Sequence, residues 1–322
     1  MLKINGVSNL RLTVKQEKGG ITILRVLSCD RNIEIPDELL GLPVTSIGQH
    51  AFEPNFEAPA GEEIQIIGIP TEEEVNNRKI ESISLPASIR ELNSFAFHNC
   101  FGLKKISLHD SIDYFGASIF LNCTELHQID ITEGANNGSA LFNILEEVQQ
   151  ELTVRISGQE QTAMLFFPGY YEYYVDNNPA LEIFYYIEGT GYSYHHSYFE
   201  HCFTYPAYDE LWRRYSHEYQ GTDYALKIAW YRLRYPVGLT FRPRRAYRNY
   251  LADHLLDLIR WRMKEKDTDG LKLILETFDP DQDTLQAAAD QARQLEQTQM
   301  MALILEELHR KFPPAAKRSF DL

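Results

Sequence analysis

Apolar positions return at a fixed interval between residues 79 and 131. Ile83, Ile106 and Ile129 form one column, and Leu85, Leu108 and Ile131 a second. Phe97 recurs as Phe120, Cys100 as Cys123 and Leu103 as Leu126, each 23 residues on. The alternation across Ile83-Ser84-Leu85 predicts a short strand with one buried face. Pro86 ends it, because proline offers no N–H to the next ladder bond. Ile89, Leu92, Phe95 and Phe97 predict the returning half of the unit. Asn99 and Asn122 suit a tight corner in left-handed backbone, and Cys100 and Cys123 suit small buried positions. A period of roughly 20–29 residues marks a solenoid, whose units bury their faces only by stacking on neighbours.

An earlier copy runs through Ile33-Glu34-Ile35-Pro36, Gly41 to Gly48 and Ala51-Phe52. Phe52 and Phe97 are 45 residues apart, close to two periods. The chain between them, with Pro54, Pro59, Pro70 and the acidic run Glu72-Glu73-Glu74, is expected to be one degraded rung with a loop insertion. Before the repeats, Asn9–Val14 and Ile21–Leu27 read as two strands joined through Gly19-Gly20. Such a hairpin, within residues 1–30, would cap the apolar end of a solenoid spanning 31–133.

The pattern changes after Ile131. Gly134–Ser139 reads as a linker, and Leu141, Phe142, Leu145 and Val148 predict a helix that closes the far end. Leu152–Ile156 and Met164–Phe167 read as strands. Residues 170–235 are dense in tyrosine and phenylalanine and are read as an aromatic core. Helices are expected over Tyr208–Tyr219 and Thr222–Tyr235, the second capped by Thr222 or Asp223. The domain expected over 139–246 is thus mixed and mainly helical. From Tyr247 the spacing is helical to Phe312, as a longer helix followed by a shorter one, twice. Residues 313–322 read as a frayed tail.

The segments IPDELLGLPVTSIGQHAF (35–52) and ISLPASIRELNSFAFHNC (83–100) resemble the BspA-type leucine-rich repeats. The resemblance covers about residues 30–132. It implies a right-handed solenoid with a short parallel sheet on its concave side, a surface or interaction role, and no enzymatic activity. The helix pairs of 247–312 resemble ankyrin-type units, although the Thr-Pro-Leu-His tetrapeptide is absent. The expected fold class is therefore α+β: a β-hairpin cap, a short leucine-rich repeat solenoid, and a mainly α-helical domain ending in ankyrin-like pairs.

Charge narrows the partners. Lys and Arg number 31 against 46 Asp and Glu, a formal charge of −15. Such a chain is a poor non-specific ligand for nucleic acid or anionic membrane. No apolar run approaches the ~20 residues that span a bilayer. The start MLKINGVSNLRLTV reads as having no signal peptide, and four scattered cysteines fit a reducing cytoplasm. A removed leader would instead make the protein a cell-surface adhesin.

Three candidate sites follow. The outward strand positions Ser82, Lys105 and Gln128, with Ser84, Ser107 and Asp130 beside them, would offer a partner-binding face. Arg232, Arg234, Arg242, Arg244, Arg245 and Arg248 fall within 17 residues free of acids. They suit an anion site, such as one for an acidic partner peptide, but the preferred reading is internal: pairing with the chain's own carboxylates or stacking on its tyrosines. His195, His196, His201 and Cys202 offer metal donors. A strand there would send His195 and His196 to opposite faces, and neither i, i+4 nor C-x-x-C spacing is present, so no metal is assigned. Phosphate-loop, G-x-S-x-G, H-E-x-x-H and dinucleotide motifs are absent, and no catalytic residue or cofactor is assigned. The expected function is non-enzymatic protein interaction, through the solenoid and its groove with the helical domain. A ligand-binding or enzymatic role around Tyr192–Tyr208 is the alternative.

Overall fold

The computed structural model describes residues 8–57, 59–66, 77–134, 139–177, 182–199, 202–215 and 223–313. The run Glu72-Glu73-Glu74, residues 135–138 of the expected linker, His201, Thr222 and the tail beyond Pro313 lie outside them. The chain divides into two compact units, Met1–Thr240 and Phe241–Leu322.

In the first unit the strands are β1 Leu10–Glu17, β2 Gly20–Leu27, β3 Asn32–Glu34, β4 Glu38–Leu39, β5 Leu42–Ile47, β6 Glu62–Ile66, β7 Ser82–Ser84, β8 Glu91–Leu92, β9 Lys105–His109, β10 Tyr114–Phe115 and β11 Gln128–Thr132. Helix α1 (Ser139–Glu147) leads to β12 Leu152–Ser157 and β13 Thr162–Phe167. Then come β14 Tyr171–Asn177, β15 Glu182–Glu188, α2 Gly191–His195, β16 Tyr198–Phe199, β17 Cys202–Phe203, α3 Tyr205–Tyr215 and α4 Tyr224–Arg234.

Two sheets carry the stack. One has the order β13-β12-β11-β9-β7-β3 and the other β10-β8-β5-β2-β1-β6, with β4 beside β5. In the first, Ile33 pairs with Ile83, Ile83 with Ile106, Ile106 with Ile129 and Ile129 with Val154, all on parallel strands. Every member of this column is buried. Burying an Ile or Val side chain stabilises by about 1.5–3 kcal/mol, so the column is a main source of stability. The ladder runs one parallel strand past the last repeat, onto β12, and antiparallel β13 closes it.

The corners repeat as the sequence predicts. Asn99 and Asn122 take φ of 59° and 64°, and the position two before each rung's phenylalanine is also left-handed: His50, Phe95 and Ser118, at 56°, 62° and 56°. The Phe52 ring lies 5.0 Å from Phe97 at a tilt, and Phe97 stacks on Phe120 at 5.4 Å. Each cysteine thiol donates to the preceding rung's phenylalanine carbonyl, Cys100 to Phe52 and Cys123 to Phe97. Burial pushes both thiols up, Cys123 to about 12, so they pack as inert hydrophobes.

The degraded rung is a misreading. β3 pairs directly with β7, and β5 directly with β8. The described part of the intervening chain places β6 antiparallel against β1, at the far edge of the second sheet. An excursion nearly one period long mimics a rung in spacing alone. The hairpin β1–β2 caps the stack as expected, because β2 pairs in parallel with β5.

Both ends satisfy the backbone groups that a missing rung would have bonded. Phe52 donates its N–H to Ala96 and Phe97 to Ile119, at 3.0 Å each, and Phe120 donates instead to the Glu147 carboxylate at 3.2 Å. Gln150 Nε2 donates to the Cys123 and Leu126 carbonyls. At the other end the buried Arg25 guanidinium donates to the carbonyls of His50, Ala51 and Glu53. The buried Asn77 amide donates to Val26 and Phe52.

The second unit is helical: α5 Phe241–Asp253, α6 Leu255–Lys264, α7 Thr268–Thr277, α8 Gln282–Gln294 and α9 Thr298–Lys311. A turn at His254 separates α5 from α6. The pairs α6–α7 and α8–α9 stack, α6 on α8 and α7 on α9. Their turns carry left-handed Lys266 and Glu296 at φ 54° and 55°. Among the described residues no helix is long and apolar enough to cross a membrane.

Candidate interaction surfaces

Pleating sends alternate residues of the ladder outward, in two registered rows. One holds Asn32, Ser82, Lys105, Gln128 and Thr153, the other Glu34, Ser84, Ser107, Asp130 and Arg155. All six residues expected on this face therefore share it. It is polar and partly self-satisfied. Lys105 Nζ lies 2.6 Å from Asp130, Gln128 donates to Asp130, and Ser82 donates to Asn32. Such a half-exposed ion pair adds at most about 1 kcal/mol.

Beyond β12 the edge strand β13 is covered. The Tyr208 hydroxyl bonds both the N–H and the carbonyl of Phe166, and α4 packs against the strand. These contacts close an edge that would otherwise recruit another strand.

The arginine island does not act as one group. Arg232 is fully buried and clasps Asp209 in a two-pronged pair at 2.8 and 2.9 Å, with Val237 as a third acceptor. It follows the internal reading and is withdrawn from any external anion. Arg234 stacks over the Trp230 and Tyr235 rings. The remaining four lie on α5, in the second unit. Arg248 donates to the Thr277 carbonyl, while Arg242, Arg244 and Arg245 are exposed.

His195 ends α2 and His196 is its C-cap, where a strand was expected. His195 is buried, its Nε2 lies 3.0 Å from the Pro168 carbonyl, and burial lowers its pKa to about 4. His196 turns Nδ1 to the Tyr192 carbonyl and stacks on that ring. Cys202 lies in β17.

The aromatic segment holds a surface that the sequence reading missed. β14 and β15 pair antiparallel, Tyr173 opposite Tyr186 and Tyr174 opposite Tyr185. One face carries Tyr171, Tyr173, Val175, Phe184 and Tyr186, the other Tyr174, Ile183, Tyr185 and Ile187. All nine are exposed, Tyr171, Tyr174 and Ile183 above 70%. The stretch was read as core. Its signal was the lack of alternation: runs such as Tyr173-Tyr174-Val175 and Ile183-Phe184-Tyr185-Tyr186-Ile187 put apolar residues on both faces of each strand, so neither face is the polar one. No Lys or Arg occurs between Arg155 and Arg213, so the ribbon carries acidic charge only.

A further cluster forms at the corner of the first two rungs. Glu53 lies 2.5 Å from His50 Nδ1 and 3.0 Å from His98 Nδ1, and accepts Asn99 Nδ2 at 2.8 Å. Burial pushes the Glu53 carboxyl up, but bonds from His98, Asn99 and His50 outweigh it and hold it below its ordinary value. The signal lay in His50-x-x-Glu53 and in His98 following Phe97 as Glu53 follows Phe52. The supposed intervening rung hid it.

Stacked parallel rungs with phenylalanine, asparagine and cysteine corners define a leucine-rich repeat solenoid. Residues 62–150 match the BspA type Leucine rich repeat region in six copies. Similar solved structures include a leucine-rich repeat protein from Bacteroides ovatus, 19% identical, TM-score 0.27, covering 48% of this chain and 37% of that one. A leucine rich repeat protein of T. pallidum is 17% identical, TM-score 0.23, covering 37% and 68%. A leucine rich cell surface protein from Faecalibacterium prausnitzii is 24% identical, TM-score 0.21, covering 40% and 38%. The chain spans little more than a third of the Bacteroides ovatus structure's length. No curated protein matches the chain.

Proposed function

We propose that the protein is a non-enzymatic interaction scaffold whose aromatic hairpin β14–β15 grips a basic protein surface, with the outward rows of the repeat sheet as a second contact face. The observation that carries this reading is the open ribbon. A two-stranded hairpin is marginal alone in water, and exposed apolar patches of this kind mark interaction sites. Tyrosine supplies large contact area with a polar edge. The acidic charge of the ribbon, within a chain of −15, selects a cationic face and rejects nucleic acid. The stacked pairs α6–α9 support an ankyrin-type module as a further surface. The free thiols of Cys29, Cys100 and Cys123 support a reducing, cytoplasmic setting.

The test places a photo-crosslinking residue at Tyr174, or at Ser107 on the sheet, and irradiates the full chain in lysate. A basic protein should be captured from Tyr174, less so at high salt, and not by the Tyr173→Ser/Tyr186→Ser variant shown to be folded by circular dichroism. Equal capture by that variant, or capture of acidic proteins or nucleic acid, would reject the reading. A second copy captured through α5 would make the scaffold self-associating.

A further inference from the structure

The cluster at the first corner has the chemistry of a metal centre. We propose that His50, Glu53 and His98 bind one divalent first-row transition ion, zinc being the best fit, and that the ion pins the first rung to the second. The three donor atoms lie within 4.8 Å of one another. Ligands at ~2.0–2.2 Å from a tetrahedral zinc stand roughly 3.3–3.6 Å apart. The 2.5 and 3.0 Å separations from Glu53 to the two imidazoles need only a small opening to reach that spacing. Two imidazoles and one carboxylate form the donor set of zinc sites with three protein ligands and one water. Calcium and magnesium prefer all-oxygen shells of six or more ligands, which this corner does not offer.

The donors are held in place before any ion arrives. His50 sits in left-handed backbone, its ring stacked on Phe56 at 4.6 Å and on Phe95 at 5.1 Å. Asn99 orients the Glu53 carboxylate from the next rung, as outer-sphere partners do in metal sites. The side chains are 14–21% exposed, so an ion can enter and water can complete its shell. Arg25 lies under the same loop and opposes added positive charge, and the Glu53 carboxylate offsets it. Placement gives the ion a task. The rungs joined here are far apart in sequence, with β6 lying between this corner and β7 in the chain while β3 pairs directly with β7, so the ion would tie together the rungs that the chain itself separates. The competing account is an ion-free network in which two neutral imidazoles donate Nδ1–H to Glu53.

Calorimetry of the chelator-stripped full chain with zinc chloride distinguishes them. One zinc per chain is expected, with a raised melting temperature, and magnesium should give neither. His98→Asn and Glu53→Gln should each weaken binding by at least about tenfold, while His127→Asn on a later rung changes nothing. No binding, or binding that survives both substitutions, overturns the proposal. Should the variants fail to fold, imidazole nitrogen NMR of the unmodified chain decides it. Zinc-induced shifts at Nδ1 of His50 and His98 support the site, and shifts confined to other histidines reject it.

Discussion

The repeat strands and the β14–β15 hairpin are built from similar residues and meet opposite fates. Ile106 alternates with Lys105 and Ser107 on a strand flanked by β7 and β11, and it is fully buried. Tyr174 alternates with Tyr173 and Val175 on a strand with one neighbour, and it is 71% exposed. Local pattern forms a strand in both places. Burial comes from a second layer, which the stack supplies with every rung and the hairpin lacks. An apolar strand is therefore core where neighbours cover it, and stays exposed where they do not.

Substitutions can break this contrast, and the largest effect belongs in the stack. Phe97→Ala empties the middle of the ring column and should cost about 3–5 kcal/mol in urea unfolding. Asp209→Ala should cost a similar ~3–5 kcal/mol, because it strands the buried Arg232 charge. The double variant Asp209→Leu/Arg232→Met should recover most of that loss.

His195 sharpens the contrast through pH. Its folded pKa of about 4 lies below the ordinary 6.5, so the unfolded chain takes up the proton first. Its contribution is intact above pH 6.5 and is lost as pH falls from there towards 4, on the order of 3 kcal/mol in all. His195→Gln, which keeps a donor for Pro168, should flatten the stability–pH profile in that window. Glu147→Ala leaves the Phe120 N–H of the last rung without its acceptor and should cost about 1–3 kcal/mol. Tyr174→Ser should stay within about 0.5 kcal/mol of the parent chain, since the ring is already in water.

Legibility in the sequence followed the same divide. The columns Ile83–Ile106–Ile129 and Phe97–Phe120 were readable because three rungs follow without insertion, and their strands pair in that register. Asn99 and Asn122 announced left-handed corners, and both have them. The Phe52-to-Phe97 step was not readable. A detour of almost one period keeps the spacing while removing the rung, and with it went the nearness of Glu53 to His98. β12 was read as a strand, as it is, but its place in the parallel ladder was not, because α1 replaces the phenylalanine–asparagine corner before it. The outward rows of the sheet came directly from strand alternation. The hairpin did not, because composition cannot distinguish tyrosines that pack inward from tyrosines awaiting a partner.

Amide hydrogen exchange read by mass spectrometry tests the division most directly. Peptides covering residues 103–109 and 128–132 should exchange only through global unfolding, while 171–175 and 183–188 exchange by local opening and slow when the captured partner is added. Equal protection of the hairpin and the rungs in the isolated chain, or a partner that slows only the rungs, would contradict it.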